Sequence, residues 1–66
     1  LVQLLELGPG GVWDVEVLDA LGRVVLRRSA VRQQLDLGDL PDGRYVLRLR
    51  DQRAQALHTL QVLLLR

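Results

Sequence analysis

The stretch Leu40-Pro41-Asp42-Gly43-Arg44-Tyr45-Val46-Leu47-Arg48-Leu49-Arg50 decides the fold. Its first four residues are a turn signal. Pro41 presets φ at the second turn position, and Gly43 ends the turn. The rest alternates. Tyr45, Leu47 and Leu49 fall on one face, and Arg44, Arg48 and Arg50 on the other. That period of two marks a half-buried strand. The chain has one Trp, one Tyr and no Phe, so Trp13 and Tyr45 are expected to supply much of the buried area of a small core.

The same grammar extends outward. In the segment from Val12 to Asp19, Trp13, Val15 and Val17 share one face, and Asp14, Glu16 and Leu18 the other. Val24, Val25 and Leu26 make a short strand that ends in Arg27-Arg28, and Val31, Gln33, Leu35 and Leu37 form a weaker inward row. Ala54 to Leu65 has helical propensity, with Leu57, Leu60 and Leu64 at helical spacing. Alternation instead puts His58, Leu60, Val62 and Leu64 on one face, and Leu57, Thr59, Gln61, Leu63 and Leu65 on the other. A strand is favoured because every neighbour reads as one. The opening Leu1-Val2-Gln3-Leu4-Leu5-Glu6-Leu7 reads as a strand too.

Punctuation separates these segments at Gly8-Pro9-Gly10-Gly11, Leu21-Gly22, Gly38 to Gly43, and Asp51-Gln52-Arg53. Short strands at such spacing indicate an all-β sandwich or barrel. In the turn from Asp19 to Arg23, Gly22 can take positive φ at little cost and Asp19 can cap with its carboxylate. With 66 residues the chain is one domain, residues 1–66, and a domain of this size is marginally stable.

Composition removes several functions. There is no Cys, so neither a disulfide nor a thiolate metal site can form. The net charge is +1. Arg27-Arg28 and the alternating Arg44, Arg48 and Arg50 lie near Asp36, Asp39, Asp42 and Asp51 in sequence, so they read as a solvated face rather than a nucleic-acid stripe. The longest apolar run, Val62 to Leu65, is far below the ~20 residues that span a bilayer. No charged leader precedes an apolar stretch, and the chain has no initiating Met, so it reads as a piece of a longer protein or a processed product.

No catalytic set is present. His58 beside Thr59 has no orienting acid, and neighbours on a strand point to opposite faces. A single His is too few for a metal site. Asp36, Asp39 and Asp42 suggest a calcium loop only loosely, without a closing bidentate Glu. Gly8-Pro9-Gly10-Gly11 is not followed by Lys-Ser/Thr or a helix, so it makes no phosphate cradle. The expectation is a non-enzymatic protein with no cofactor, no small-molecule substrate and no nucleic-acid partner.

Two blocks carry a resemblance. Residues 15–25 contain Asp-x-x-Gly-Arg, as Asp19, Gly22 and Arg23. Residues 35–49 contain Leu-Asp-Leu-x-x-Leu-x-x-Gly-x-Tyr, as Leu35, Asp36, Leu37, Leu40, Gly43 and Tyr45. Together with a closing apolar strand, Thr59 to Arg66, they resemble the C-terminal sorting domain of the type IX secretion system (the Por secretion tail family), from about residue 12 onward. The Pro-Asn-Pro opening of that family is missing, and Arg66 stands where its closing Lys is usual.

The resemblance implies a small Ig-like antiparallel β-sandwich of about six to seven strands. It implies a sorting module for an upstream cargo, in the periplasm in transit and then at the cell surface or secreted. The implied partners are an outer-membrane translocon and a surface sortase-like peptidase. The translocon-binding strand would be Thr59, Leu60, Gln61, Val62, Leu63, Leu64, Leu65 and Arg66, read by strand addition. The alternative is a structural Ig-like module that self-associates through exposed strands into a dimer or fibre.

Overall fold

The computed structural model describes residues 4–8 and 10–65. Leu1 to Gln3, Pro9 and Arg66 lie outside the described residues, and so does the part of the opening and closing strands that the sequence places on them. Every regular element is a strand: β1 (Leu4–Glu6), β2 (Trp13–Leu18), β3 (Val24–Val31), β4 (Gln34–Asp36), β5 (Gly43–Asp51) and β6 (Leu57–Leu64). They form two antiparallel sheets, β1-β4 and β3-β2-β5-β6. The result is a small β-sandwich with a large sheet and a short one, as the alternating segments predict.

The core lies between the sheets. Val15 and Val17 of β2, Tyr45, Leu47 and Leu49 of β5, and Leu64 of β6 face Leu35, Leu37 and Leu40, with Leu5 and Leu7 packed against them. Leu47 and Val17 are 0 % exposed. Burial of this kind is worth ~1.5–3 kcal/mol per large aliphatic side chain. It falls mainly on β2 and β5 because those two strands are central, with a neighbour on each side. The inward row of β6 is covered less: Leu60 and Val62 are half-buried and His58 is exposed. Two short strands cannot roof four long ones.

The final segment resolves as a strand, β6, which pairs with β5 from Gly43↔Leu64 to Arg50↔Leu57 with no register shift. Alternation therefore describes it, and the helical spacing of Leu57, Leu60 and Leu64 is incidental. Its outward residues Leu57, Thr59, Gln61 and Leu63 are exposed.

Three details differ from the sequence reading. The strand that opens at Val24 does not end at Arg27-Arg28. It continues to Val31, because β2 resumes pairing past the irregularity at Ser29 and Ala30, with Trp13 opposite Val31. Gln33 is not inward but exposed. Residues 32–33 cross from the large sheet to the small one, so the row from Val31 to Leu37 is divided between two sheets and loses its common face. Leu18 shares the outward face of Asp14 and Glu16 as expected, yet it is 7 % exposed. A register shift separates it from Val17 on the β3 side, and on the β5 side it pairs with Val46.

The Gly-rich segment before β2 has a packing role. A Cβ added at Gly11 would stand 2.5 Å from Nε1 of Trp13, so only glycine lets the indole lie against the chain here. The indole also meets the His58 ring in an edge-to-face arrangement, with ring centroids 5.7 Å apart.

Candidate functional site

The two sequence blocks meet at one end of the large sheet, where Leu18 pairs with Val46 and Asp19 and Arg23 line one cleft with Asp42, Gly43 and Tyr45, and each has a structural explanation. Between β2 and β3 the Asp19 carboxylate accepts hydrogen bonds from the Leu21 amide (2.9 Å), the Arg23 amide (2.9 Å) and the Arg23 guanidinium (2.8 Å). The Gly22 amide donates to the Asp19 carbonyl at 3.0 Å, and Gly22 takes φ 84°. A turn closed by a left-handed glycine is the standard three-residue hairpin loop. The Arg23 amide is the main reason that the Asp19 carboxyl sits below its ordinary pKa; partial loss of water opposes the shift, and the Arg23 side chain and the Leu21 amide add to it. Asp, Gly and Arg at this spacing are therefore three parts of one cap.

The second block encloses the start of β5. The Asp36 carboxylate accepts from the Gly38 amide at 2.7 Å. The Leu40 amide donates to the Leu37 carbonyl at 3.1 Å, which drives Leu40 into the core at 8 % exposure. The Tyr45 ring then lies over Gly43, and its hydroxyl donates to the Pro41 carbonyl at 2.6 Å. Gly43 has φ 156°, so the backbone angle rather than the space beneath the ring favours glycine. A tyrosine that bonds to the main chain a few residues upstream pins a sandwich corner. Asp36, Asp39 and Asp42 belong to this corner. Among the described residues no group of three or more His, Asp or Glu side chains gathers as a metal site requires.

The predicted recognition strand is a different element. Thr59 to Leu64 belong to β6, Leu65 follows it, and Arg66 is outside the described residues. Because the large sheet runs β3-β2-β5-β6, β6 is one of its two edges among the described residues. The motif residues adjoin this strand at one end: Asp19, Gly22 and Tyr45 border the same cleft as Gln61, Val62 and Leu63. Tyr45 opposes Val62, and Gly43 opposes Leu64, so the second block pairs with β6 directly.

The two edges are built differently. β3 has two register shifts, carries Arg27 and Arg28, and has Ala30 at φ 55°. The Arg27 carbonyl is already engaged by the Arg28 guanidinium at 2.7 Å. Bulges and charges of this kind discourage edge pairing. β6 has no Pro, no Gly, no charge and no bulge. Leu57 and Leu63 are 75 % and 55 % exposed beside it.

The family model for the secretion system C-terminal sorting domain matches residues 4–62. The chain belongs to this family. No curated protein and no solved structure matches the chain significantly. The match begins at residue 4, earlier than the resemblance read from the sequence, so β1 is part of the sorting-domain pattern and not a loosely related extension. Type IX sorting domains are export signals, and membership decides between the two readings of the sequence in favour of sorting over a self-associating structural module. It also means that the domain works with the secretion machinery and marks a protein for export across the outer membrane, toward the surface or the medium.

Sequence reasoning missed two contributions to the geometry. Asp51 closes the β5–β6 loop, accepting from the Arg53 amide at 2.9 Å and the Ala54 amide at 3.3 Å. A single Asp before a polar loop is its only trace in the sequence. The contrast between the two edges was also not legible, because strand order is not written in local pattern.

Proposed function

We propose that residues 1–66 act as one unit, an address read by the outer-membrane translocon through the edge of β6. The observation that supports this best is the unprotected edge: an uncharged, unbulged strand opposite an edge that is blunted. Strand addition gives affinity through main-chain hydrogen bonds, and the exposed side chains give specificity. In this reading Leu57, Thr59, Leu60, Gln61, Val62, Leu63, Leu64 and Leu65 carry the recognition, with Arg66 beyond them. Asp19, Gly22, Arg23, Asp36, Leu40, Gly43 and Tyr45 hold the strand in place. The domain directs transport and catalyses nothing itself. A surface sortase-like peptidase would then separate it from its cargo.

The test is export of a reporter. Residues 1–66 are fused behind a periplasm-directed fluorescent protein in a bacterium with a type IX system. Fluorescence is expected at the surface or in the medium. The double variant Leu57→Ser/Leu63→Ser changes only exposed positions, so the fold should survive within about 0.5 kcal/mol per site. It is expected to leave the reporter in the periplasm, whereas Val24→Ser/Val25→Ser on the β3 edge exports normally. Periplasmic retention of the unchanged fusion would sink the sorting reading. Undiminished export of the β6 variant would sink the choice of strand.

A further inference from the structure

The outward face beside β6 has an unbalanced charge. β5 presents Arg44, Arg48 and Arg50 there, opposite Leu63, Thr59 and Leu57 of β6. Among the described residues the β2 carboxylates on that face lie on the far side of β5 and are occupied, and at the Arg44 end Asp19, beside Asp42, is held by the Leu21 and Arg23 amides and the Arg23 guanidinium. Asp14 accepts from the Ala30 amide and the Gln52 side chain, at 3.3 and 2.7 Å. Glu16 accepts from Arg27 at 3.0 Å and lies 3.7 Å from Arg48. The Arg44 side chain makes no hydrogen bond or ion pair among the described residues. Cations therefore line β6 from behind, and the strand has no charge of its own.

The inward face beside β6 asks for the opposite chemistry. His58, Leu60 and Val62 are incompletely covered by the short sheet. A strand added at this edge would extend the apolar layer with the side chains it turns inward. The side chains it turns outward would stand two strand spacings from β5, about 10 Å, a gap that an arginine and a glutamate span together.

We infer that the segment recognised at β6 is an extended strand of a partner protein that alternates apolar and acidic residues, apolar toward Leu60 and Val62, acidic toward Arg44 and Arg48. This deepens, and rests on, the reading of β6 as the recognised edge. Charge complementarity of this sort sets orientation and rate of encounter, and it excludes neutral or basic strands of equal hydrophobicity. A second copy of this chain does not fit, because β6 has no acidic residue to offer.

The experiment titrates the isotope-labelled chain with a synthetic peptide as long as β6 that alternates valine with glutamate, followed by amide shifts and amide exchange. A valine–lysine peptide of the same length is the comparison. The glutamate peptide is expected to shift and protect β6 amides, and not β3 amides, with affinity that falls in 0.5 M salt, on the order of the Debye screening change. Arg44→Glu/Arg48→Gln is expected to weaken it by about five- to tenfold and to improve binding of the lysine peptide. Equal binding of both peptides, binding at β3, or no binding at millimolar peptide would overturn the inference. So would concentration-dependent pairing of β6 with itself in place of peptide binding. If Leu57→Ser/Leu63→Ser blocks export while the arginine variant exports and binds both peptides as before, the charge inference fails alone and the edge reading stands.

Discussion

At the scale of single residues, two side chains do most to explain why the family motif looks as it does. The Tyr45 hydroxyl is tied to the Pro41 carbonyl at 2.6 Å, and its ring covers Gly43. Tyr45→Phe keeps the ring and loses the bond, so it should cost about 1 kcal/mol. A urea titration should show a lower midpoint with an unchanged slope; an unaltered midpoint would mean that the corner is held by the ring alone. Asp19 gives a pH-dependent prediction. Its folded pKa lies below its ordinary value of 3.8, chiefly because the Arg23 amide stabilises the carboxylate. The sign follows from linkage: the contribution is fully present above the ordinary value and is lost as pH falls through the folded one. The stability difference between the native chain and Asp19→Asn should therefore be largest near neutrality and shrink below about pH 4. A difference that is flat from neutrality to pH 2 would assign the turn to Gly22 instead.

At the scale of elements, the two sheets are unequal partners. β1 and β4 share three register pairs, Leu4↔Asp36, Leu5↔Leu35 and Glu6↔Gln34. A lone two-stranded ribbon is marginal in water, and this one is held by Leu5, Leu7, Leu35 and the corner at Leu37 and Leu40. The large sheet contains both central strands and the fully buried Leu47 and Val17. Native-state amide exchange should find β1 and β4 opening ahead of β2 and β5, at least about tenfold faster after correction for intrinsic rates. Matching rates would mean that the sandwich opens as a single unit. The elements were the most legible level of the sequence. Alternation located β2 and β5 and gave the right face to Trp13, Val15, Val17, Tyr45, Leu47 and Leu49. For β6 the alternation competed with a helical spacing, and the strand character of its neighbours favoured the strand that is observed. Alternation failed at Gln33, where the chain passes between sheets and the side-chain period is broken by the crossover.

At the scale of the whole molecule, the local pattern determined the all-β class, the inward rows, the Asp19 cap and the corner before Tyr45. These depend on side-chain period and turn chemistry, which act over a few residues and so are written in neighbouring letters. The two motif blocks also carried the family resemblance, and the match over residues 4–62 bears it out. Only the tertiary structure decided which strands are central and which are edges. Nothing in the eight letters from Leu57 to Leu64 states that β5 lies on one side and no described strand on the other. Likewise, Arg44 and Arg48 read as ordinary solvent-facing residues until β6 is placed beside them. The physical reason is that an edge is defined by missing backbone partners, and a positive face by which nearby carboxylates are already engaged elsewhere. Both are relations between segments far apart in the chain, fixed only when the sheet order is fixed.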